Sequence, residues 1–156
     1  MIWYGIVLIL DSALARFRRH PSTEPDPSSP PSTQVYATPT LKGDLIFVAS
    51  HDKKLHALYA ETGMPVWTFT TGGRISASST VSPDGAVVYV GSLDMHVYAI
   101  RAFDGKEVWR ANLDAEILAA APKPSLDGKL LFVGTDEPGQ LIALHTDASL
   151  QCGNSK

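Results

Sequence analysis

The sequence predicts an all-β fold built from repeated four-stranded antiparallel sheets. Three observations lead to this prediction: a 42-residue repeat, Asp-Gly turn pairs placed before short apolar runs, and glycines or prolines that interrupt every apolar run. A period of about 42 residues is the length of one blade of a β-propeller. Between two and three copies are present, so the expected architecture is about 2.5 blades of an incomplete β-propeller.

Three pairs of positions carry the repeat, and the two members of each pair are separated by 42 residues. The pairs are Ala57 and Ala99, Gly63 and Gly105, and Trp67 and Trp109. A third copy begins at Asp127 and loses the Gly and Trp positions after Leu144. The six paired residues are expected to be structural repeat positions, with both tryptophans acting as packing residues.

Short runs between turn residues predict the strands of each blade. The pairs Asp84-Gly85 and Asp127-Gly128 precede runs rich in β-branched and aromatic residues. The predicted strands span residues 87–90, 96–100, 107–110 and 130–133. Small residues at 77–79 and 119–121 predict an innermost strand, where blades crowd around a central channel. A helical fold is disfavoured, because Gly, Pro or Asp-Gly breaks each run before it reaches about ten residues.

The order Ala, five residues, Gly, three residues, Trp occurs at 57–67 and again at 99–109. This pattern resembles the tryptophan-docking repeat of the pyrroloquinoline quinone (PQQ)-type β-propellers, and the resemblance covers roughly residues 36–146. It implies that a Trp on the outer strand of one blade packs against the Ala and Gly positions of a neighbouring blade. The family usually carries Asp two residues after the Ala, whereas this divergent member has Tyr59, Arg101 and His145 there.

The regions outside the repeats divide the chain into four parts. Residues 1–19 are an apolar N-terminal segment, 20–34 a Pro/Ser-rich linker, 35–147 the propeller repeats and 148–156 a polar tail. The apolar run is shorter than the roughly 20 residues of a membrane-spanning helix, so no transmembrane span is predicted. The run fits a secretory signal or a membrane anchor. The sequence therefore favours a periplasmic or extracytoplasmic location.

The number of copies bears on the expected partners. Closed propellers have roughly four to eight blades, and an isolated pair of blades leaves apolar faces uncovered. The chain is therefore expected to be a fragment of a larger propeller protein, the alternative being several chains that assemble into a ring. The expected partner is a protein or further propeller blades.

Few residues point to chemistry. The net charge of −3 provides no basic surface, so no nucleic-acid partner is expected. The histidines lack a close metal-ligand spacing, and Asp52, Asp94 and Asp136 recur at one repeat position as turn residues. No catalytic, cofactor-binding or metal site is predicted. Arg74 is the single weak ligand candidate, because it follows two glycines in a loop expected near the channel mouth.

Three functions are compatible with the repeat. The favoured one is a non-catalytic protein-binding or structural scaffold without a cofactor. The second is part of a PQQ-dependent alcohol or sugar dehydrogenase, for which the resemblance implies PQQ with calcium and, in some members, a vicinal disulfide. The single Cys152 excludes that disulfide within this chain. The third is an accessory propeller of a multidomain adenylating enzyme or kinase.

Overall fold

A computed structural model describes residues 35–118, 121–137 and 139–147. These residues form eleven β-strands in three antiparallel sheets, and no helix among them is long and apolar enough to cross a membrane. The all-β prediction is confirmed. The predicted N-terminal segment 1–19, linker 20–34 and tail 148–156 lie outside the described residues.

Each sheet is one blade, and the strands of a blade are hydrogen-bonded in chain order. Blade A contains β1 (Thr40–Lys42), β2 (Leu45–Ala49), β3 (Lys54–Tyr59) and β4 (Pro65–Thr70). Blade B contains β5 (Thr80–Val81), β6 (Val87–Gly91), β7 (His96–Arg101) and β8 (Glu107–Asn112). Blade C contains β9 (Lys123–Pro124), β10 (Leu130–Gly134) and β11 (Leu141–His145). The four strands predicted from the sequence correspond to β6, β7, β8 and β10.

The Asp-Gly pairs form turns that use their own side chains. The Asp84 carboxylate accepts a hydrogen bond from Ala86 N at 3.0 Å, and Gly85 has a φ of +83° that a residue with a Cβ would adopt only under strain. The arrangement recurs in blade C, where Asp127 accepts the N–H two residues further on at 3.1 Å and Gly128 has a φ of +71°. A repeated sequence therefore produces a repeated turn before the second strand of blades B and C.

Alternation along the central strands builds two apolar interfaces, because successive side chains of a strand point to opposite faces. Between blades A and B lie Phe47, Ala49, Leu55, Ala57, Val88, Val90, Tyr98 and Ile100. Between blades B and C lie Tyr89, Val97, Ala99, Trp109, Ile117, Leu131 and Val133. These side chains are nearly or fully buried, so neighbouring blades stack face to face and stabilise one another.

The innermost edge of the blades is formed by β1, β5 and β9, and each contacts the next. Thr40 Oγ1 donates to Ser79 O at 2.7 Å, and Thr38 N donates to Ser78 Oγ at 2.8 Å. The predicted small residues 77–79 thus lie immediately before β5 rather than within it. Their size lets the inner edges of two blades approach closely. Residues 119 and 120 of the second predicted set lie outside the described residues.

Candidate functional site at the rim of blades A and B

Three connecting loops meet at one end of blades A and B. This end, called the rim, comprises residues 50–53 after β2, residues 71–79 after β4 and residues 92–95 after β6. Thr71 N donates to Lys53 O at 2.8 Å, and Leu93 N donates to Arg74 O at 2.9 Å. Backbone hydrogen bonds therefore join the three loops into one surface, and this surface contains the predicted ligand candidate Arg74.

Asp94 is the main polar group of the rim. Its Oδ2 atom accepts hydrogen bonds from the Tyr98 hydroxyl at 2.7 Å and from Gly73 N at 3.1 Å. Its Oδ1 atom accepts from His96 N at 3.1 Å, which is the turn role predicted from the sequence. A Cβ at Gly73 would lie 2.6 Å from Asp94 N, so glycine at this position allows the loop of one blade to reach the carboxylate of the next.

The ionisation of the Asp94–Tyr98 pair follows from these contacts. Burial favours the neutral form of Asp94, but hydrogen bonds from Tyr98 and from backbone N–H groups outweigh it and hold the pKa of the carboxyl below 3.8. Burial and the bond to Asp94 raise the pKa of Tyr98 to about 12. The hydroxyl therefore stays protonated and donates to a charged carboxylate near neutral pH. A base for catalysis would instead need a pKa close to the working pH.

Blade A places a different pair at the equivalent positions. Asp52 Oδ2 lies 3.1 Å from His56 Nε2, and the two side chains are 15% and 18% exposed. Thr68 Oγ1 lies 3.4 Å from the other ring nitrogen of His56, which is long for a hydrogen bond between these groups. Asp52 also accepts from Lys54 N at 3.0 Å, as predicted for a turn residue. His56 takes the place that Tyr98 occupies in blade B.

A second histidine contact lies beside this pair. His51 Nε2 lies 2.9 Å from Ser76 Oγ, and the ring of Tyr36 is centred 4.6 Å from the ring of His51. The sequence did not predict this contact, because its two residues are 25 positions apart in different loops. No spacing rule connects such residues, so only the folded structure shows the pair.

Arg74 contributes to the rim mainly through its backbone. Its carbonyl oxygen accepts from Leu93 N at 2.9 Å and from Ser92 Oγ at 3.4 Å. Its side chain is exposed. Tyr36 and Met95 are also exposed, with 64% and 43% of their surface accessible. The rim thus combines internally bonded histidines and aspartates with an exposed cationic and apolar surface.

The structural repeat positions lie away from the rim, and Trp67 contacts the next blade. Trp67 is paired with the buried Ala57 across β3 and β4. Its Nε1 atom donates to Ala102 O of blade B at 2.9 Å. A Cβ at Gly105 would lie 2.7 Å from Trp67 Cδ2, and Gly105 has a φ of +72°. This contact forms although Arg101 stands where the family usually has Asp.

Trp109 makes the corresponding contact one blade further on. It is paired with the buried Ala99, and its Nε1 atom donates to Thr146 O at 2.8 Å. Trp109 is 7% exposed and packs in the core between blades B and C. In blade A, Gly63 has a φ of +69° in the turn before β4. Five of the six repeat positions therefore lie at interfaces between described blades: Ala57, Trp67, Ala99, Gly105 and Trp109.

The described part of the chain holds no cluster of potential metal ligands. Among residues 35–118, 121–137 and 139–147, no three His, Cys, Asp or Glu side chains come together as ligands for a metal ion. A calcium ion of the kind required with PQQ takes about six to eight oxygen ligands. The described residues therefore supply no carboxylate cluster of the kind that such a calcium ion uses.

The stacked blades, their strand order and the tryptophan contacts between them define a β-propeller repeat module. A family profile described as outer membrane protein assembly factor BamB matches residues 20–84 and 66–151, which is well over half of the chain. The chain belongs to this family of PQQ-type propeller repeat proteins, and the resemblance predicted from the sequence is confirmed. No curated protein sequence matches the chain.

Solved structures share the fold. BamB from Moraxella catarrhalis aligns with a TM-score of 0.62 and 20% identity, covering 78% of this chain and 35% of that one. Quinohemoprotein alcohol dehydrogenase from Comamonas testosteroni aligns at 0.63 and 21%, covering 73% and 20%. A quinohemoprotein alcohol dehydrogenase from Pseudomonas putida aligns at 0.64 and 20%, covering 74% and 19%. The chain thus spans about a third of the first structure and about a fifth of the other two.

Proposed function

We propose that the chain is a non-catalytic PQQ-like β-propeller module that binds a partner protein through its rim. One observation carries this proposal. The acidic and imidazole side chains at the rim form hydrogen bonds within the two blades, whereas other side chains at the rim are exposed and available to a partner. Asp94 is bonded to Tyr98, and Asp52 to His56. Groups engaged in this way stabilise loops, and loops held on a rigid scaffold are common binding surfaces.

The composition of the exposed surface supports a protein ligand. Tyr36, Arg74 and Met95 are all exposed at or beside the rim. Tyr, Arg and Met are enriched at protein interfaces, because each combines a large contact area with adaptable polar or polarisable groups. A small substrate would instead favour an enclosed pocket that buries most of its surface.

The family description supports a class of partner. The family to which the chain belongs is named after an outer membrane protein assembly factor. We therefore propose that the partner belongs to the machinery that assembles outer membrane proteins, and that the chain works in the periplasm. Under this proposal no cofactor is required.

Site-specific photo-crosslinking tests the rim directly. A photoreactive amino acid is placed at Arg74 in the full chain, and at Lys106 as an exposed control in the turn between β7 and β8. We expect a protein adduct from position 74 that is absent from position 106, with a component of outer-membrane assembly identified by mass spectrometry. Absence of any adduct from position 74, or equal adducts from both positions, would contradict binding through the rim.

The dehydrogenase alternative is favoured only by the shared fold, with TM-scores of 0.63 and 0.64. It is tested by adding PQQ and Ca²⁺ to the purified full chain and following dye reduction with an alcohol or sugar. We expect no reduction and no change in tryptophan fluorescence. Substrate-dependent dye reduction would replace the scaffold proposal with the enzymatic one.

A further inference from the structure

The surface of the rim continues past blade B onto blade C. The continuation is formed by the loops after β8 and β10, called the B–C loops, which comprise residues 113–118 and 135–137. Leu113 N donates to Met95 O of the rim at 2.9 Å, and Asp136 N donates to Glu116 O at 3.0 Å. Backbone hydrogen bonds therefore join the rim and the B–C loops into one surface at the same end of the three blades.

The internal repeat allows the two blade junctions on this surface to be compared position by position. The backbone carbonyl of Arg74 accepts a hydrogen bond from a loop of blade B at 2.9 Å, and that of Glu116 accepts one from a loop of blade C at 3.0 Å. The residues that follow them, Ile75 and Ile117, are both fully buried. Arg74 and Glu116 therefore occupy the same repeat position, and their exposed side chains carry opposite charges.

Two further repeat positions change in the same direction. Lys53 and Met95 have φ angles of +69° and +68°, and their carbonyls accept hydrogen bonds from the backbone of the following loop at 2.8 and 2.9 Å. The residues next to these donors are Gly72 and Asp114. From the first junction to the second, methionine stands in place of lysine and aspartate in place of glycine. The backbone is repeated, but the charge that it carries becomes more negative.

Each half of the surface thus exposes charges of one sign. At the rim the exposed charged side chains are cations, namely Lys53, Arg74 and the adjacent Lys54. The rim carboxylates Asp52 and Asp94 are only 15% and 16% exposed and form hydrogen bonds within the blades. The B–C loops contain no Lys or Arg, and their exposed charged side chains are carboxylates, namely Asp114, Glu116, Asp136 and Glu137.

The described part of the fold does not pair these charges. Among the described residues, none of the exposed rim cations or B–C carboxylates forms an ion pair with another described side chain. Like charges grouped without counter-charges repel one another and oppose the compact state, so they do not stabilise the blades. A partner of complementary charge would remove this repulsion and would be steered to the surface.

We infer that the rim and the B–C loops together bind a polypeptide segment of the partner that has one acidic and one basic end. The acidic end lies over the rim and the basic end over the B–C loops. This arrangement fixes the direction of the segment across the blades, because the reverse direction places like charges together. Met95, which is 43% exposed between the two halves, offers an apolar contact at the centre. The inference rests on the proposed protein-binding function and specifies the chemistry of that partner.

The test uses two fluorescent synthetic peptides of identical composition and the full chain. The block peptide has glutamates at one end, lysines at the other and a leucine between them, whereas the mixed peptide alternates the same residues. In fluorescence anisotropy at low ionic strength, we expect the block peptide to bind on the order of tenfold more tightly, because only it can place each charge opposite its complement. The difference should disappear in 1 M salt, where the screening length falls to about 3 Å.

Charge-reversed variants of the full chain locate the binding surface. Glu116→Arg should weaken binding of the block peptide on the order of fivefold, because it places a cation opposite the basic end. Glu61→Arg is the matched control, since it makes the same change of net charge at an exposed residue in the turn between β3 and β4, at the opposite end of blade A. Circular dichroism checks that both variants remain folded. Equal weakening by both variants would overturn the inference, because net charge alone would then determine the affinity.

A second measurement reports the direction of the bound segment in the unaltered chain. A photoreactive group at the basic end of the block peptide should form adducts with residues 113–118 or 135–137, and one at the acidic end with residues 50–54 or 71–79, as mapped by mass spectrometry. The same adducts from both ends would overturn the inference. If they did so while the partner still formed adducts at position 74, the rim proposal would stand without the charge polarity. Loss of the adducts at position 74 would instead contradict the rim proposal itself.

Discussion

At both blade interfaces a tryptophan donates a hydrogen bond to a backbone carbonyl, but the two indoles differ in their burial and in their neighbours. Between blades A and B, the half-buried Trp67 donates to Ala102 O and lies against Gly105. Between blades B and C, the buried Trp109 donates to Thr146 O. The acceptor is a backbone carbonyl in both cases, so the bond does not depend on the side chain that carries it. The two interfaces differ in how far the indole is buried and in which residue packs against the indole ring.

This difference suggests how a divergent repeat keeps its geometry. A carbonyl acceptor survives any substitution that leaves the backbone in place, which accounts for the contact at Thr146 in a copy that has lost the Gly position. Burial of the indole then decides how much each contact stabilises the fold, since apolar area removed from water is the main favourable contribution.

The largest expected effect is the loss of either indole. Trp109→Ala should lower the free energy of unfolding by ~4 kcal/mol, because it removes a buried aromatic side chain and leaves a cavity. Trp67→Ala should cost less, because Trp67 is only half-buried. Chemical denaturation of both variants of the full chain, followed by circular dichroism, measures the two values. The comparison fails if Trp67→Ala is the more destabilising of the two.

Gly105→Ala should destabilise the fold by ~2 kcal/mol, since the new Cβ combines positive-φ strain with overpacking against the indole. The ideal Cβ position is 2.7 Å from Trp67 Cδ2. Gly43→Ala is the matched control, because Gly43 has a φ of +56° and no atom within 4 Å of the new Cβ. The control should cost ~1 kcal/mol from strain alone. In a Trp67→Ala background the excess cost of Gly105→Ala should disappear, and an excess that remained would locate the clash elsewhere.

A smaller, pH-dependent change in stability is expected from the hydrogen bond between Tyr98 and Asp94 at the rim. Tyr98→Phe removes the donor to Asp94 and should cost ~1 kcal/mol near neutral pH. Because the folded pKa of Asp94 lies below 3.8, its contribution is present above that value and is lost as the pH falls through the folded pKa. Because the folded pKa of Tyr98 is raised to about 12, its contribution is lost as the pH rises from about 10 toward 12.

The stability difference between the wild-type chain and Tyr98→Phe should therefore be largest from about pH 5 to pH 9 and shrink at both ends. Denaturation at a series of pH values measures it. Tyr59→Phe, at a residue that is 49% exposed, should show no such profile. A difference that stayed constant across the whole range would mean that the hydroxyl contributes packing rather than a hydrogen bond to a carboxylate.

The smallest effect is expected at Thr146. Thr146→Val removes the hydroxyl that donates to Gly128 O at 2.6 Å and should cost ~0.5 kcal/mol. The tryptophan contact should persist, because Trp109 bonds to the backbone carbonyl. Tryptophan fluorescence and unfolding are compared in the two proteins, and a large fluorescence change would show that the side chain of Thr146 positions the acceptor.

Much of the fold was predictable because its determinants are local. Asp84 and Gly85 specify a turn from their own conformational preferences, and the pair recurs 43 residues later as Asp127 and Gly128, close to the 42-residue period of the repeat. The position of the inner strand was harder to predict, because the conformation of residues 77–79 depends on their contact with the chain around β1 and not on their own strand propensity. Their position before β5 emerges only when two blades are placed together.

The candidate site was predictable only in part, because local turn contacts can be predicted from the sequence but contacts between blades cannot. The sequence predicts Asp94 as a turn residue, and its bond to His96 N confirms this. Its bonds to Tyr98 and Gly73 combine a strand neighbour with a loop of the preceding blade, so spacing along the chain does not reveal them. The recurrence of Asp at one position, followed four residues later by His in one copy and Tyr in the next, was the available sequence signature.

The direction of the indole bonds has a consequence for local opening of the molecule. Each outer-strand tryptophan is anchored to the blade that follows it, so β4 depends on blade B and β8 depends on the end of β11. Loss of structure in blade C would release the anchor of β8, whereas loss of structure in blade A would release no anchor in the blades after it. Local unfolding, measured as backbone amide hydrogen exchange, should therefore proceed from blade C toward blade A. The nearly identical repeats alone would not predict such a direction.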